Sequence, residues 1–361
     1  MKKFDKTYKD DAEMLRRFKI YEKNMREILE MNREFFADLF FDSSFSRNGR
    51  CNAQFGENDL SDWTDEEFRK TLLPPTFYKR LREEATFIRN DPPKPERAVP
   101  APDFFDWRAR NVVTPVKAQG GCSDIRGVRT TNRFLLIRSS DLGKCGSCWA
   151  FAATATVEAA WAIAHGEMRN LSEQTLLDCD LDDNACDGGD EDKAFRYIHR
   201  NGLAYTADLP YVAHRQNTCR VEGNVTKIEV SQTPSASLIC SPRSLYFAVF
   251  VQVAYFIHPD EQSIIDWLLG YGPVNIGIAV TPDMKPYKGG VFTPNAYDCK
   301  NKVVGLHSLM ITGYGTTEAG EKYWIVKNSW GNTWGVEHGY VYFARGINAC
   351  GIEDEPIGIL A

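Results

Sequence analysis

The sequence predicts an α+β protein in which a helical lobe precedes a β-rich lobe, with a further helical segment in front of both. Three segments in the middle of the chain have a helical pattern of apolar residues: Cys148 to Ala164, Ser172 to Cys179 and Asp190 to Asn201. Four later segments, rich in Val, Ile, Tyr and Gly, have strand-like patterns: Val274 to Val280, Leu309 to Gly313, Tyr323 to Lys327 and Gly339 to Ala344. A cleft between two such lobes is a common place for an active site.

The N-terminal segment has the pattern of one long amphipathic helix. Between Asp11 and about Leu39, apolar residues recur at helical spacing, with charged residues between them: Leu15, Phe18, Tyr21, Met25, Ile28 and Phe35. Taken alone, such a helix is a packing element. A proline-rich segment follows later, with Pro92, Pro93, Pro95, Pro100 and Pro102. Because proline fits neither a helix interior nor a central strand, we expect this segment to be an extended linker.

Length, charge and hydropathy limit the possible partners. The chain has 361 residues and a net charge of −6. It has no long block of like charge, so neither a nucleic-acid partner nor a basic membrane-binding surface is predicted. The most apolar segment, Leu245 to Ile257, is interrupted by Gln252 and is shorter than the roughly 20 residues that span a bilayer. We therefore predict no membrane anchor.

The cysteine content favours an oxidising compartment. The chain has 10 cysteines, and paired cysteines persist in secreted, lumenal or lysosomal proteins. A cytosolic protein with a few reactive thiols is the alternative. The first residues, Met1 to Tyr8, have a basic start without an apolar segment, so no secretory signal is predicted within this chain.

Cys148 is the candidate nucleophile. It stands at the start of an alanine-rich helical segment, where unpaired N–H groups and the positive end of the helix dipole favour a thiolate. Cys145 and Cys148 also form a C-x-x-C, which elsewhere indicates a redox pair or half of a zinc site. No second C-x-x-C follows in the sequence, so we predict neither a metal site nor a cofactor.

His307 is the candidate partner of this nucleophile, which needs a base or cation beside it. It begins an apolar segment that runs from Leu306 to Gly315. The other five histidines are predicted to lie at the surface: His165, His199, His214, His258 and His338. Asn328, which precedes Ser329 and Trp330, could hold the imidazole in one tautomer through its amide oxygen without adding a charge. The alternative for Asn328 is an ordinary turn residue.

Several motifs resemble those of one known family. The block Lys144-Cys145-Gly146-Ser147-Cys148-Trp149 resembles the active-site signature of papain and the cathepsins. The segments Leu306 to Gly315 and Tyr323 to Gly331 resemble the histidine and asparagine motifs of that family. The chain is therefore identified as a candidate member of the papain-like cysteine proteases.

Two motifs near the N-terminus resemble the inhibitory propeptide of cathepsin L/F-type precursors. The first motif consists of Glu13, Arg17, Tyr21, Asn24, Ile28 and Asn32, with Tyr21 in the place of phenylalanine. The second consists of Gly56, Asn58, Leu60 and Asp62, with Leu60 in the place of phenylalanine. With the later motifs, the resemblance extends from about residue 4 to residue 358.

The resemblance implies a papain-like two-lobe fold preceded by a helical propeptide. It divides the chain into an inhibitory propeptide domain at 1–84, an extended linker at 85–102 and a peptidase domain at 103–361. In the family, the segment at the position of the prolines crosses the active-site cleft and is cut. We therefore expect maturation between Arg97 and Asp103.

The resemblance also assigns roles to the site residues. Cys148, His307 and Asn328 would be the catalytic residues, and Gln119 would donate to the oxyanion together with the Cys148 N–H. The predicted substrate-binding residues are Gly188, Gly189, Asp190, Ser308, Trp330 and Glu355. Trp330 would cover the contact between Asn328 and His307, and the two glycines would bind the substrate backbone.

Further expectations follow from the resemblance. The implied disulfides are Cys145–Cys186, Cys179–Cys219 and Cys299–Cys350, although the six cysteines alone allow fifteen pairings. Glu355 would lie at the floor of the main specificity pocket and Asp190 on its wall, so that Arg is tolerated at P2; an exposed acidic loop is the alternative. Asn224 in Asn-Val-Thr is a candidate glycosylation site.

The resemblance implies a precursor of an endopeptidase that acts through an acyl-enzyme. Its expected partners are protein and peptide substrates, its own propeptide as an intramolecular inhibitor and cystatin-like inhibitors. We expect a monomer in the lysosome or outside the cell.

Three stretches depart from the family pattern. They are Asp38 to Asn52, Gly121 to Gly143 and about Pro234 to Tyr255, and each contains one cysteine outside the implied pairs: Cys51, Cys122 and Cys240. His307 and Asn328 also follow Cys148 at more than the roughly 130 to 150 residues typical of the family, which predicts an insertion. Our hypothesis is that these inserts are absent from the functional product. The alternative is an inactive homologue, with Gln119 displaced, that acts as a binding or protease-inhibitory protein.

Overall fold

The computed structural model describes residues 6–41, 53–74, 81–95, 100–120, 144–216, 218–219 and 253–360, with the backbone alone for 34–41. Most of each predicted insert lies outside these residues. Cys51, Cys122, Cys240 and the candidate glycosylation site Asn224 lie outside them too, as do residues 97–99 of the predicted maturation region.

The described ranges contain eight α-helices, four of which match the predicted helical segments. The eight helices are α1 (Asp11–Phe41), α2 (Asp65–Arg69), α3 (Leu81–Glu84), α4 (Cys148–His165), α5 (Glu173–Cys179), α6 (Glu191–Asn201), α7 (Glu261–Gly270) and α8 (Asp298–Asn301). The alanine-rich α4 ends where Gly166 takes the left-handed conformation, with a φ of 70°. The Asp190 carboxylate caps α6 by accepting a 2.9 Å hydrogen bond from the Lys193 N–H.

The strands lie mainly in the second half of the chain. They are β1 (Gln54–Phe55), β2 (Phe105–Asp106), β3 (Val253–Phe256), β4 (Val274–Val280), β5 (Tyr287–Gly289), β6 (Val291–Phe292), β7 (Gly305–Thr316), β8 (Lys322–Lys327), β9 (Tyr340–Ala344) and β10 (Ile357–Leu360). One sheet has the order β3-β10-β4-β7-β8-β9-β6, with β2 also paired to β7. A second, two-stranded sheet joins β1 to β5.

The C-terminal limit predicted for the third insert is wrong. Val253 to Tyr255 belong to β3, in which Ala254 is fully buried and lies opposite Ile359 of β10. The apolar run that looked foreign to its surroundings therefore ends in a core strand. Its partner strand β10 lies about a hundred residues further along the chain, so the local sequence pattern does not show this pairing.

Two apolar clusters of buried side chains stabilise the two lobes. The first surrounds α4, α5 and α6 and includes Trp149, Leu176 and Phe195. The second lies against the long sheet and includes Trp324 and Phe343. Because α4 packs against β7, the start of α4 and the first residues of β7 meet between the lobes.

The two N-terminal motifs contact each other and the β-rich lobe. On α1, Asn24 donates two 2.9 Å hydrogen bonds from Nδ2, to the carbonyls of Ser61 and Trp63. From the second motif, Asn58 donates a 2.9 Å hydrogen bond to the carbonyl of Lys285. Each of these two asparagines therefore binds particular backbone groups across the contact.

Three disulfides are present among the described residues. They join Cys145 to Cys186, Cys179 to Cys219 and Cys299 to Cys350, the three pairs that the resemblance implies. No helix within the described ranges combines the length and apolarity needed to cross a bilayer.

Candidate active site

Cys148 lies at the first turn of α4 and is the free cysteine of the described residues. Its side chain is completely buried, and this burial, with a smaller contribution from the charge of Glu191, raises the pKa of the thiol to about 12. The backbone N–H of Ser308 hydrogen-bonds to the sulfur and opposes that rise. The sequence pointed to a thiolate stabilised by the helix dipole; in this state burial outweighs that effect and the thiol is protonated.

His307 and Asn328 meet because β7 and β8 are antiparallel neighbours, with Met310 opposite Lys327. The Nε2 of His307 lies 2.7 Å from the Oδ1 of Asn328. Since an amide oxygen only accepts, Nε2 carries the proton and Nδ1 has its lone pair. Nδ1 has no hydrogen-bond partner within the described ranges. Burial lowers the pKa of His307 to about 4, although the Asn328 hydrogen bond opposes this, so the imidazole is neutral here.

Trp330 forms one wall of this pair. Its ring stacks on that of His307, with centroids 4.7 Å apart and planes 21° apart, and the side chain is 5% exposed. Phe68 of the N-terminal segment packs edge-on against the same ring at 5.1 Å. The indole therefore separates the imidazole from solvent on one side.

Gln119 lies beside the segment that carries Cys148. Its Nε2 donates to the carbonyl of Cys145 at 3.3 Å and to that of Thr71 at 2.7 Å. The Oε1 accepts from the Ser329 hydroxyl at 2.5 Å, and the Tyr211 hydroxyl donates to the Gln119 carbonyl at 2.8 Å. The described residues give no support to a displaced Gln119, because both ends of the intervening stretch are fixed next to each other.

A buried ionic cluster, missed in the sequence, fixes the loop before Gln119. The Lys117 ammonium contacts Glu158 on α4 at 2.8 Å and Glu173 on α5 at 2.7 Å. Burial alone would lower the pKa of Lys117, but the two carboxylates raise it. This loop is therefore attached to two helices of the helical lobe.

The glycine pair follows the Cys145–Cys186 disulfide. A Cβ on Gly189 would lie 2.4 Å from the Trp149 ring, and Gly188 has a φ of 118°, so neither position accommodates a side chain without strain. The Asp190 side chain turns back to its own helix, where it also contacts the Lys193 ammonium at 2.7 Å.

Of the remaining predicted substrate-binding residues, Ser308 contacts an acidic side chain and Glu355 contacts the N-terminal segment. The Ser308 hydroxyl donates a 2.6 Å hydrogen bond to Oε1 of Glu191, a residue that the sequence analysis did not single out. Glu355 is partly buried, and its carboxylate accepts from the backbone N–H of Arg82; burial, the larger effect, raises its pKa.

Comparison with known proteins agrees with these observations. The model of the papain family cysteine proteases matches residues 124–360, and that of the cathepsin propeptide inhibitor domain (I29) matches residues 1–68. The chain belongs to the papain family of cysteine proteases. It is a protease precursor that carries a cathepsin-type inhibitory propeptide, as the sequence motifs predict.

The relatives of this papain-family precursor include cathepsins of insects and of their viruses. The viral cathepsin of Antheraea pernyi nuclear polyhedrosis virus is 33% identical over 98% of the chain and 87% of that protein. Cathepsin F of Drosophila melanogaster is 31% identical over 98% of the chain but 48% of that protein, so the chain spans about half of its length.

Solved structures confirm the papain-like fold. Digestive procathepsin L 3 of the Tenebrio molitor larval midgut has a TM-score of 0.72 and 28% identity, over 99% of this chain and 96% of that one. A recombinant stem bromelain precursor has a TM-score of 0.71 and 27% identity, over 100% and 96% of the two chains. Mixed helix and sheet, with a helical N-terminal segment, is therefore the architecture of the protease precursor.

The chain contacts the candidate site just after the end of the matched inhibitor domain, which is earlier than expected. Leu73 pairs with Leu306, the residue before His307, through two 2.8 Å backbone hydrogen bonds. The Thr71 carbonyl accepts a hydrogen bond from the Gln119 side-chain amide, and the Leu72 carbonyl lies near Gly146. The proline-rich linker instead packs elsewhere: Pro95 lies near Gly270, and the Pro102 carbonyl accepts from Tyr314. The expectation that the prolines cross the cleft is wrong, because residues 71–73 already lie there.

Proposed function

We propose that this precursor yields a cysteine endopeptidase in which Cys148 is the nucleophile, His307 the acid and base, and Asn328 the residue that orients the imidazole. The observation that carries the proposal is the His307–Asn328 hydrogen bond of 2.7 Å, which leaves Nδ1 as the nitrogen available for proton transfer. The sulfur of Cys148 contacts Ser308, the residue after His307, which supports a short path between thiol and imidazole.

The chemistry begins once residues 71–73 leave the cleft. The Cys148 proton moves to Nδ1 of His307, and the thiolate attacks the peptide carbonyl. The Cys148 N–H and the Gln119 amide, released from Thr71, donate to the oxyanion. The imidazolium then protonates the leaving amine, and a water molecule hydrolyses the thioester with His307 as the base.

Substrate binding is proposed for the non-primed side of the cleft. Gly188 and Gly189 would pair with an extended substrate backbone, with Asp190, Ser308 and Trp330 nearby. Glu355 would make Arg acceptable at P2; the backbone contact between Glu355 and Arg82 of the propeptide supports this, since it places the carboxylate against the inhibitory chain. Phe-Arg and Arg-Arg dipeptide substrates test it: Glu355→Ala should lose activity on Arg-Arg alone, and an equal loss on both contradicts the assignment.

The remaining functional expectations are proposals of the same kind. The family supports an intramolecular inhibitory propeptide and protein substrates. We propose that the processed protease is a monomer, that cystatin-like inhibitors bind its cleft and that it acts in the lysosome or outside the cell, in line with its cathepsin-like relatives. The resemblance suggests no cofactor.

Covalent labelling tests the catalytic assignment. After processing at mildly acidic pH, an irreversible epoxide inhibitor should attach to Cys148 and abolish peptide hydrolysis, and a Cys148→Ser chain should take up no label there. Peptide mapping locates the adduct. Absence of label on Cys148 after complete removal of the propeptide would instead support an inactive homologue that acts as a binding or inhibitory protein.

A further inference from the structure

A second part of the propeptide is attached to the peptidase lobes independently of the inhibitor domain. The I29 match ends at residue 68, and residues 71–73 occupy the cleft. Residues 81–89 then form a separate set of contacts, which we call the downstream arm. In this arm Leu81 and Ile88 are buried, at 9% and 4% exposure, in the apolar cluster of the helical lobe.

Asp192 is the polar anchor of the downstream arm. Its Oδ1 accepts from the N–H groups of Phe87 and Ile88 at 2.7 and 2.8 Å. Its Oδ2 accepts from the N–H and the hydroxyl of Thr86, both at 3.0 Å. A carboxylate that is 4% exposed thus receives three consecutive backbone N–H groups, and hydrogen bonds to a charged acceptor are the stronger ones.

Two further groups complete this arrangement. Arg196, one turn after Asp192 on α6, donates to the Thr86 hydroxyl at 2.5 Å and lies 3.6 Å from the Asp192 carboxylate. The same guanidinium contacts Asp182 at 3.0 Å. Because Asp192 and Arg196 both lie on the rigid helix α6, their spacing does not depend on the propeptide.

The arm ends by pairing with the edge of the long sheet. Arg89 donates its N–H to the Ala254 carbonyl at 2.9 Å, and its carbonyl accepts from the Phe256 N–H at 2.8 Å. These bonds lie on β3, the strand at one end of the described sheet order. Addition of an extended residue to an open strand edge is a common mode of peptide binding.

We propose that Asp192, Arg196 and the β3 edge form a peptide-binding site that outlasts removal of the propeptide, and that its first occupant is the excised downstream arm. The ligand class is a peptide that presents three consecutive backbone N–H groups in a turn. The third of these residues is aliphatic, as Ile88 is, and the residue after it is extended, as Arg89 is. None of its contacts involves Cys148, His307 or Asn328, but Arg82 of the same arm contacts Glu355, so the site adjoins the proposed P2 pocket and rests in that respect on the proposed function.

The test begins with the full-length Cys148→Ala chain, which cannot process itself, so that the readout is binding alone. The chain is cut on both sides of the arm by limited digestion with an unrelated protease, and native mass spectrometry determines what stays attached. We expect a peptide containing residues 81–91 to remain bound to the wild-type protein. It should be lost from Asp192→Asn but kept by Asp208→Asn, which removes an exposed charge of the same lobe outside the site.

Synthetic peptides provide a measurement that needs no variant protein. The 81–91 peptide should displace the retained arm, and methylation of the Phe87 and Ile88 nitrogens should weaken it by about tenfold or more, because two charge-assisted hydrogen bonds are lost. Methylation at Asn90, whose N–H does not contact Asp192, should change affinity by less than about twofold. Equal affinities of the two methylated peptides, or failure of the unmodified peptide to bind, would overturn the proposal.

Discussion

The hydroxyl of Ser308 donates a 2.6 Å hydrogen bond to Oε1 of Glu191, and both side chains are 1% exposed. Ser308 also contacts the sulfur of Cys148, and the charge of Glu191 opposes ionisation of that thiol. The sulfur therefore has the backbone N–H of Ser308 as a donor that favours the thiolate, whereas the Glu191 carboxylate, which accepts from the Ser308 hydroxyl, disfavours the thiolate.

Two substitutions should shift the pKa of the Cys148 thiol in opposite directions. Glu191→Gln keeps an acceptor for Ser308 but removes the charge, so the acidic limb of kcat/KM should move to lower pH. Ser308→Ala removes the hydroxyl that donates to Glu191, so the carboxylate should oppose the thiolate more strongly and the limb should move to higher pH. Profiles of the processed enzyme on a dipeptide substrate measure both. Asp187→Asn, an exposed residue nearby, is the matched control, and shifts of the same sign in the two variants would contradict this account.

Gln119→Ala should lower kcat by about 10²- to 10³-fold, the usual effect of losing one oxyanion donor. The change removes the amide that now contacts Thr71 and Cys145. KM should change little, because the donor acts on the transition state. Ser329→Ala removes only the hydroxyl that donates to Gln119 Oε1, and it should lower kcat by a smaller factor. Unchanged kcat in Gln119→Ala would show that residues 121–143 keep the amide away from the reacting carbonyl.

Glu67→Gln should release the propeptide more readily. Glu67 receives hydrogen bonds of 2.6 and 2.8 Å from Arg17 and forms an ion pair with Lys144 of the peptidase lobe. Burial would raise the pKa of Glu67, but these cations hold it well below its usual range. The stability that this contact contributes is therefore fully present at any pH above the usual pKa of a glutamate. It is lost only as the pH falls below that value towards the lowered pKa of Glu67.

The wild-type contact should consequently survive mild acid. We expect Glu67→Gln to process faster than wild type at both neutral and mildly acidic pH, with a propeptide affinity about tenfold lower. Gel-based processing rates measure this, with Glu66→Gln, an exposed neighbour, as the control. A difference that vanishes in mild acid would show that Glu67 itself titrates there.

The sequence could predict the residues that the proposed chemistry requires to be of one type. Cys148, His307 and Asn328 stand in motifs, and the antiparallel register of β7 and β8, which the strand patterns alone did not define, brings His307 and Asn328 together. The acidic run of Asp190, Glu191 and Asp192 could not be resolved in this way. Its three carboxylates have different surroundings: one caps α6, one faces Ser308 and one binds the downstream arm. Adjacent residues on a helix point in different directions, and composition does not show what lies opposite each.

Asp183→Asn should stabilise the protein at neutral and alkaline pH. Burial, with the nearby charges of Asp180 and Asp190, raises the pKa of Asp183 from 3.8 to about 9. The folded state thus retains a proton that the unfolded chain releases, so stability present below pH 3.8 is lost progressively as the pH rises towards 9. Asparagine resembles the protonated acid: its oxygen can still accept from the Asp190 N–H, now 2.9 Å from Asp183 Oδ1, and its amide can donate to Asp180.

The expected gain in the free energy of unfolding is on the order of 1–3 kcal/mol at neutral pH, which is the usual cost of a buried polar group without adequate partners. It should shrink towards zero in acid, where both side chains are neutral in the folded protein. Thermal unfolding of the full chain across this pH range measures the effect. Asp182→Asn, an exposed neighbour, should show no such pH-dependent gain, and a gain of equal size for Asp183→Asn at every pH would mean that packing rather than ionisation is responsible.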